Sequence, residues 1–251
     1  MDTSPILFRS RFGGWLAFVG SAALVAFAIV NGIETPWLGA TLLACTLLVG
    51  LKRYVERRRV RRLLTSGNVS LVLAAWHDSL RRVPHSETMK PLVIATLLAA
   101  HGMLDGALQA LNRAKRGHAW EAAIEHRLLL QTLMAAFGGE SERALRTATR
   151  LFNLPIMPAS PWMQARISAL RTAVLAFARA FAHQAEDRDI RALKHAAGDN
   201  PLVHWPMRYA AAVAYVDLGQ PSKARKLLDN VPDWPEDSVF HHFQRELEER
   251  L

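Results

Sequence analysis

The chain opens with two long stretches in which no charged position recurs. Gly13 to Val30 reads GGWLAFVGSAALVAFAIV, which at about 1.5 Å per residue is roughly 27 Å of helix, close to the thickness of a bilayer core. After a connection containing the turn and breaker residues Asn31, Gly32 and Pro36, a second uncharged run extends from Trp37 to Leu51. It amounts to about 22 Å of helix, and lengthens if Lys52 and Arg53 snorkel. The pattern predicts a hairpin of two transmembrane helices over residues 13–55, behind a short cytosolic N-terminal segment, residues 1–12. Trp15 and Trp37 stand at the starts of the two spans, where interfacial tryptophans anchor helices.

Beyond Arg62 the pattern changes. The sequence becomes rich in Ala, Leu and Arg, breakers recur at intervals of about one helix length, and no sustained alternation of apolar and polar residues occurs. An all-α domain is therefore expected over residues 69–251, behind a basic juxtamembrane segment, residues 56–68. The breakers place helices at Val69 to Val83, Lys90 to His101, Leu104 to Arg116, Ala119 to Phe137 and Glu140 to Asn153. Further helices follow at Pro161 to Ala185, Asp187 to Ala197, Leu202 to Leu218 and Pro221 to Asn230. The last helix, Glu236 to Leu251, reads EDSVFHHFQRELEERL, with the polar face of a capping helix.

Within this domain Gly-x-x-x-x-Ala occurs at Gly102 to Ala107, Gly139 to Ala144 and Gly219 to Ala224, each time between two apolar helical stretches. An acid or small polar residue stands three after each glycine (Asp105, Glu142, Ser222), and a small or β-branched residue seven before it (Ala95, Thr132, Ala212). Such a pattern closes a helical hairpin: Gly accepts the left-handed cap, the polar residue opens the next helix, and small residues let the backbones approach. Over Lys90 to Pro232 the sequence resembles the tetratricopeptide (TPR) superfamily of helical repeats, with Pro155 and Pro232 where family repeats commonly end. It departs from that family in lacking the aromatic at the start of most first helices, and the third unit, Pro161 to Asn200, has no glycine of this kind. The resemblance implies a TPR-like α-solenoid of about four helical hairpins with a C-terminal capping helix. It also implies a partner-binding groove lined by one face of each first helix: Met89, Leu92, Thr96 and Ala99, then His126, Leu129, Leu133 and Phe137, then Tyr209, Val213 and Asp217.

Charge changes the picture mainly by its placement. The 251 residues carry a formal +9, are 51% hydrophobic and include one Cys, which excludes a disordered tail, a disulfide-built miniprotein and a structural zinc module. Residues 1–62 hold nine Lys and Arg against three acids, a net +6, and the rest of the chain carries +3. Arg9 and Arg11 precede the first run, the connection has no Lys or Arg, and KRYVERRRVRR follows the second. The positive-inside rule then places both termini in the cytoplasm of a multi-pass inner-membrane protein. Lys52, Arg53, Arg57, Arg58, Arg59, Arg61 and Arg62, directly beneath a span, are expected to contact anionic lipid. Arg143, Arg146 and Arg150 form a one-sided stripe, yet this region has only Tyr209 and Tyr215 as tyrosines, so nucleic acid is not expected as a partner.

No residue set names a reaction. The sequence has no GxGxxG, Walker, HExxH or GxSxG signature, and Cys45 falls inside a predicted span with packing as its expected role. His241 and His242 with Asp237 and Glu246 make two weak pairs where a metal centre needs three or four convergent ligands. His101, beside a helix-ending glycine, is expected as a partner of the helix C-terminus rather than as a ligand with Asp105 and His126. No catalytic, cofactor or metal site, no cofactor and no small-molecule substrate is expected. The sequence is most consistent with a membrane-anchored adaptor or assembly scaffold presenting its groove to a cytosolic protein. The alternative is a structural subunit of a membrane complex whose hairpin is the main interface, with Gly20, Ala23 and Ala40 allowing close helix packing.

Overall fold

The structure, a computed structural model, describes residues 36–156, 158 and 160–250. Every regular element among them is helical, with no strand. Helix α1, Pro36–Thr65, is 30 residues long and joins the apolar run from Trp37 to Leu51 directly to KRYVERRRVRR. Neither α1 nor any other described helix is long and apolar enough to cross a membrane. The expectation of two transmembrane helices is corrected accordingly, and with it the membrane anchor and the multi-pass inner-membrane localisation with both termini cytoplasmic. The physical reason is length. A span needs about 20 apolar residues, and the second run gives way to charge well short of that. The first run, Gly13 to Val30, lies outside the described residues.

The chain divides between Val60 and Arg61 into two compact units. In the first, the described part is α1 up to Val60, and it leaves Trp37, Leu47, Leu48, Val49, Leu51 and Val55 exposed. Cys45 is exposed as well, so packing does not account for it.

The second unit begins with the last turn of α1 and continues through α2 (Val69–Arg81), α3 (Ser86–Ala100), α4 (Leu104–Asn112), α5 (His118–Ala122) and α6 (Ile124–Phe137). There follow α7 (Ser141–Phe152), α8 (Pro161–Phe181), α9 (Asp187–Asp199), a 3-10 turn at Pro201–Val203, α10 (His204–Asp217), α11 (Pro221–Leu227) and α12 (Val239–Arg250). Several starts differ from the breaker pattern, among them the terminal helix, which begins at Val239 rather than Glu236. Helix α3 begins before Pro91, which removes one amide from the helix. The Glu87 carbonyl that this amide would have satisfied accepts the Lys115 N–H instead, at 3.1 Å. The expected helix from Ala119 to Phe137 is broken at Ala123, which separates α5 from α6.

Four helix-to-helix turns share one geometry, joining α3 to α4, α6 to α7, α8 to α9 and α10 to α11. The second residue past each first helix has positive φ: Gly102 (77°), Gly139 (79°), His183 (55°) and Gly219 (69°). The next amide bonds back five residues, Met103 to Leu98, Glu140 to Ala135, Gln184 to Arg179 and Gln220 to Tyr215, at 2.8–2.9 Å. This is the Schellman closure, which satisfies the orphan carbonyls of a helix end. Seven residues before each turn stands a fully buried small or β-branched residue, Ala95, Thr132, Ala176 or Ala212. The fourth residue of each second helix (Ala107, Ala144, Ile190, Ala224) is buried too. The third hairpin therefore closes with His183 in place of glycine. The first helices α3, α6, α8 and α10 pack in succession, and α7 and α9 each also pack on the next first helix.

These turns differ in what a side chain would meet. At Gly139 nothing lies within 4 Å of an added Cβ, whereas at Gly102 it would fall 2.6 Å from the Ser238 hydroxyl oxygen. Gly139→Ala is expected to cost about 1–2 kcal/mol, from the left-handed backbone alone. Gly102→Ala is expected to cost roughly 2–4 kcal/mol, because overpacking adds to the same strain. His183→Gly should be neutral to stabilising by up to about 1 kcal/mol. Urea unfolding of the three variants measures this order.

Candidate interaction face

The residues expected to line a groove come together, and most of them are already covered. Leu92, Thr96, Ala99, Leu133 and Tyr209 are fully buried, Leu129 and Phe137 nearly so, and Met89, His126 and Val213 are partly buried. The cover over Phe137, Tyr209 and Val213 is the chain's own C-terminal segment. Trp234 donates its indole N–H to the Tyr209 hydroxyl at 2.9 Å. Phe240 stacks on Tyr209 with centroids 4.5 Å apart and planes at 5°, and meets Phe137 edge-on at 5.1 Å. Phe243 lies 6.0 Å from Phe137 and 5.7 Å from Phe181.

Helix α12 crosses all four hairpins. At its start, the Ser238 hydroxyl donates to the His101 carbonyl at 2.7 Å and the Val239 amide to the Gly102 carbonyl at 3.0 Å. At its other end Leu247 and Phe243 border a pocket of about 160 Å³ whose walls include Phe181, His183, Val213 and Asp217. The terminal helix is thus not an end cap on the last hairpin. It lies along the C-terminal ends of α3, α6 and α8 and against α10. Its apolar positions, Phe240, Phe243 and Leu247, are spaced i, i+3 and i+7, which puts them on one helical face. That spacing was present in the sequence, and the abundance of polar residues around it concealed its meaning.

Several of the remaining polar groups have structural partners. The Thr96 hydroxyl donates to the Leu92 carbonyl at 2.9 Å, so His126 Nε2, 2.6 Å from the same oxygen, is the donor in that contact and joins α6 to α3. His101 Nδ1 lies 2.8 Å from its own helix's Leu97 carbonyl and Nε2 3.2 Å from the Leu64 carbonyl in the last turn of α1. His183 Nδ1 is 3.0 Å from both carboxylate oxygens of Asp217 at the mouth of the pocket. Among the described residues no three His, Cys, Asp or Glu side chains are placed to share a metal ion. Arg143 and Arg146 pair with Glu140 and Glu142 on the exposed side of α7. Lys52, Arg53, Arg58, Arg59, Arg61 and Arg62 are exposed along α1. Without a span above them, the reason for assigning them to anionic lipid falls away, and the Arg57 side chain lies outside the described part.

Burial holds three histidines below their ordinary value of 6.5. For His101 and His204 it outweighs hydrogen bonds to backbone carbonyls that act the other way, and for His126 it acts alone. All three therefore take up protons less readily in the folded chain than in the unfolded one. Stability is unaffected well above pH 6.5 and falls as the pH drops through and below that value. The urea midpoint is expected to be lower at pH 5.5 than at pH 7.5, and a flat profile across that interval would contradict the lowered proton affinity of these rings.

Comparison with protein-family models, curated proteins and solved structures finds no match to this chain.

Proposed function

We propose that this protein is an interaction module of the TPR-like kind, an adaptor or scaffold that holds a segment of a partner protein against the face formed by α3, α6, α8 and α10, and performs no covalent chemistry. One observation carries the reading. An aromatic and aliphatic face drawn from α6, α8 and α10 accommodates a helical segment through side-chain packing, with Phe240 on Tyr209 and Phe137 and Phe243 beside Phe181. Recognition of a helix laid in an apolar groove works through anchors at such i, i+3 and i+7 positions.

Tyr209 and Leu129 are too deeply buried for a charge there to report on binding alone. Val213 is the better probe, because it borders the pocket beside α12 and is only partly buried. Affinity capture with full-length Val213→Asp is expected to lose a partner that the wild-type chain retains, with unchanged helicity by circular dichroism. Equal retention by both chains would remove this face from consideration.

A second reading rests on the exposed apolar half of α1, where Trp37 is 85% and Leu48 65% exposed. Single exposed apolar residues need no explanation, but a contiguous group marks a contact surface. In that reading the chain is a structural subunit docked through α1, and Leu47→Gln with Leu48→Gln and Leu51→Gln abolishes capture while Val213→Asp does not.

A further inference from the structure

Helix α12 reaches its place through residues 228–238, in which Pro232 and Pro235 flank Trp234 and Asn230 takes a left-handed backbone at φ 60°. Pro235, Glu236 and Asp237 are exposed just before α12 begins, whereas Trp234 and Ser238 on either side of them are buried. The apolar contacts of α12 after Val239 are made from one face by Phe240, Phe243 and Leu247, while His242 and Arg245 are exposed. An amphipathic helix attached by an irregular segment, and seated by one apolar face, has the form of a ligand supplied by the same chain.

We infer that α12 is an occupant in cis of the interaction face, and that the partner it stands in for is an amphipathic helix presenting aromatic residues at i and i+3 and an aliphatic residue at i+7. This rests on the proposal that the face binds a partner segment, and it names the chemistry of that segment. The seat of α12 defines three subsites. The first aromatic lies flat on the Tyr209 ring and edge-on to Phe137, with Trp234 closing its side at 4.9 Å. The second sits between Phe137 and Phe181. The aliphatic residue enters beside the pocket formed with Val213 and Val216, where His183 and Asp217 supply a polar rim. A partner helix competes with a segment already tethered at high effective concentration, so it binds the intact chain weakly and binds a chain with α12 detached strongly.

The test uses the full chain with a specific-protease site inserted between the exposed residues Glu236 and Asp237, so that α12 is cut from its tether after folding. A fluorescein-labelled peptide of residues 237–251 is then added to cut and uncut protein and followed by anisotropy. The cut protein is expected to bind the peptide at least about tenfold more tightly than the uncut one. It should retain its far-UV helicity when the released segment is dialysed away, and ignore a peptide carrying Phe240→Ser and Phe243→Ser. Unfolding of the cut protein on loss of the segment would overturn the inference, as would failure of the labelled peptide to enter. Equal binding to cut and uncut chains would do the same, by placing the peptide elsewhere.

The wild-type chain gives an independent answer if the insertion prevents folding. The same peptide, with a photoreactive phenylalanine at the position of Phe243 and at millimolar concentration, should crosslink to α6, α8 or α10, and crosslinks confined to other elements would contradict the inference. Peptide entry without any Val213-dependent partner would leave the cis ligand standing and defeat the adaptor reading. A Val213-dependent partner without peptide entry would do the reverse.

Discussion

Phe137→Ala is expected to destabilise the protein by about 3–5 kcal/mol, the cost of emptying a fully packed aromatic site. Phe137 ends α6, is 5% exposed, and meets Phe177 and Phe181 of α8 as well as Phe240 and Phe243 of α12, at centroid distances between 5.1 and 6.0 Å. It joins three helices through four ring contacts. Because neighbours on both sides are large and locked by their own contacts, the site collapses poorly and retains a cavity. For a unit of this size each kcal/mol lowers Tm by about 2–4 °C, so a fall of roughly 6–20 °C follows. Calorimetry measures it directly, and a change below about 1 kcal/mol would mean that the aromatic cluster is not the centre of the core.

Arg171→Met is the second large effect, expected at about 2–3 kcal/mol from the loss of a buried charged donor to three part-buried acceptors. Arg171 projects from α8 and is 3% exposed. Its guanidinium donates to the Leu154 carbonyl and to Glu125 in the first turn of α6, and to the Pro155 carbonyl at 3.3 Å. The side chain thereby fixes the segment between α7 and α8 against α6. Methionine fills a similar volume, so the loss is one of hydrogen bonding and charge rather than packing. Glu125 is 41% exposed and returns to water, which keeps the cost below that of a fully buried ion pair. Chemical denaturation of the purified variant gives the magnitude, and faster proteolysis between Asn153 and Ser160 is the expected local sign. Arg171→Lys should recover little of it, because a single ammonium cannot span three acceptors in the fork geometry.

The hairpins were legible in the sequence because their turns obey local rules. Gly102, Gly139 and Gly219 mark three of them, and the buried Ala95, Thr132 and Ala212 stand seven residues earlier in each. The third turn escaped the glycine pattern since its left-handed residue is His183, although Ala176 keeps the same spacing. The start of α3 escaped because Pro91 reads as a breaker locally, while the amide that compensates for it belongs to Lys115. Helix α1 misled for a different reason. Apolar content without its length is equally compatible with an exposed interaction helix, and Lys52 interrupts the run too early for a span.

The candidate site was legible as a set of residues and illegible as an occupied surface. The resemblance to helical repeats groups Phe137, Tyr209 and Val213 as groove residues, but what covers them depends on where α12 returns, far along the chain. No local pattern around Tyr209 announces a stacked phenylalanine from residue 240. The two faces of α12 carry the information instead, since Phe240, Phe243 and Leu247 align only when the segment is read as an amphipathic ligand rather than as a polar cap.

The measurement closest to the central claim is native-state hydrogen exchange of the wild-type chain in low concentrations of denaturant. A helix seated as a ligand opens without the elements beneath it, through a sub-global fluctuation. The amides of α12 are therefore expected to exchange through an opening of lower free energy and smaller denaturant dependence than those of α8 and α10. If α12 instead exchanges only with global unfolding, at the same protection as α8 and α10, it is an inseparable part of the core and the face beneath it has no vacancy to offer a partner.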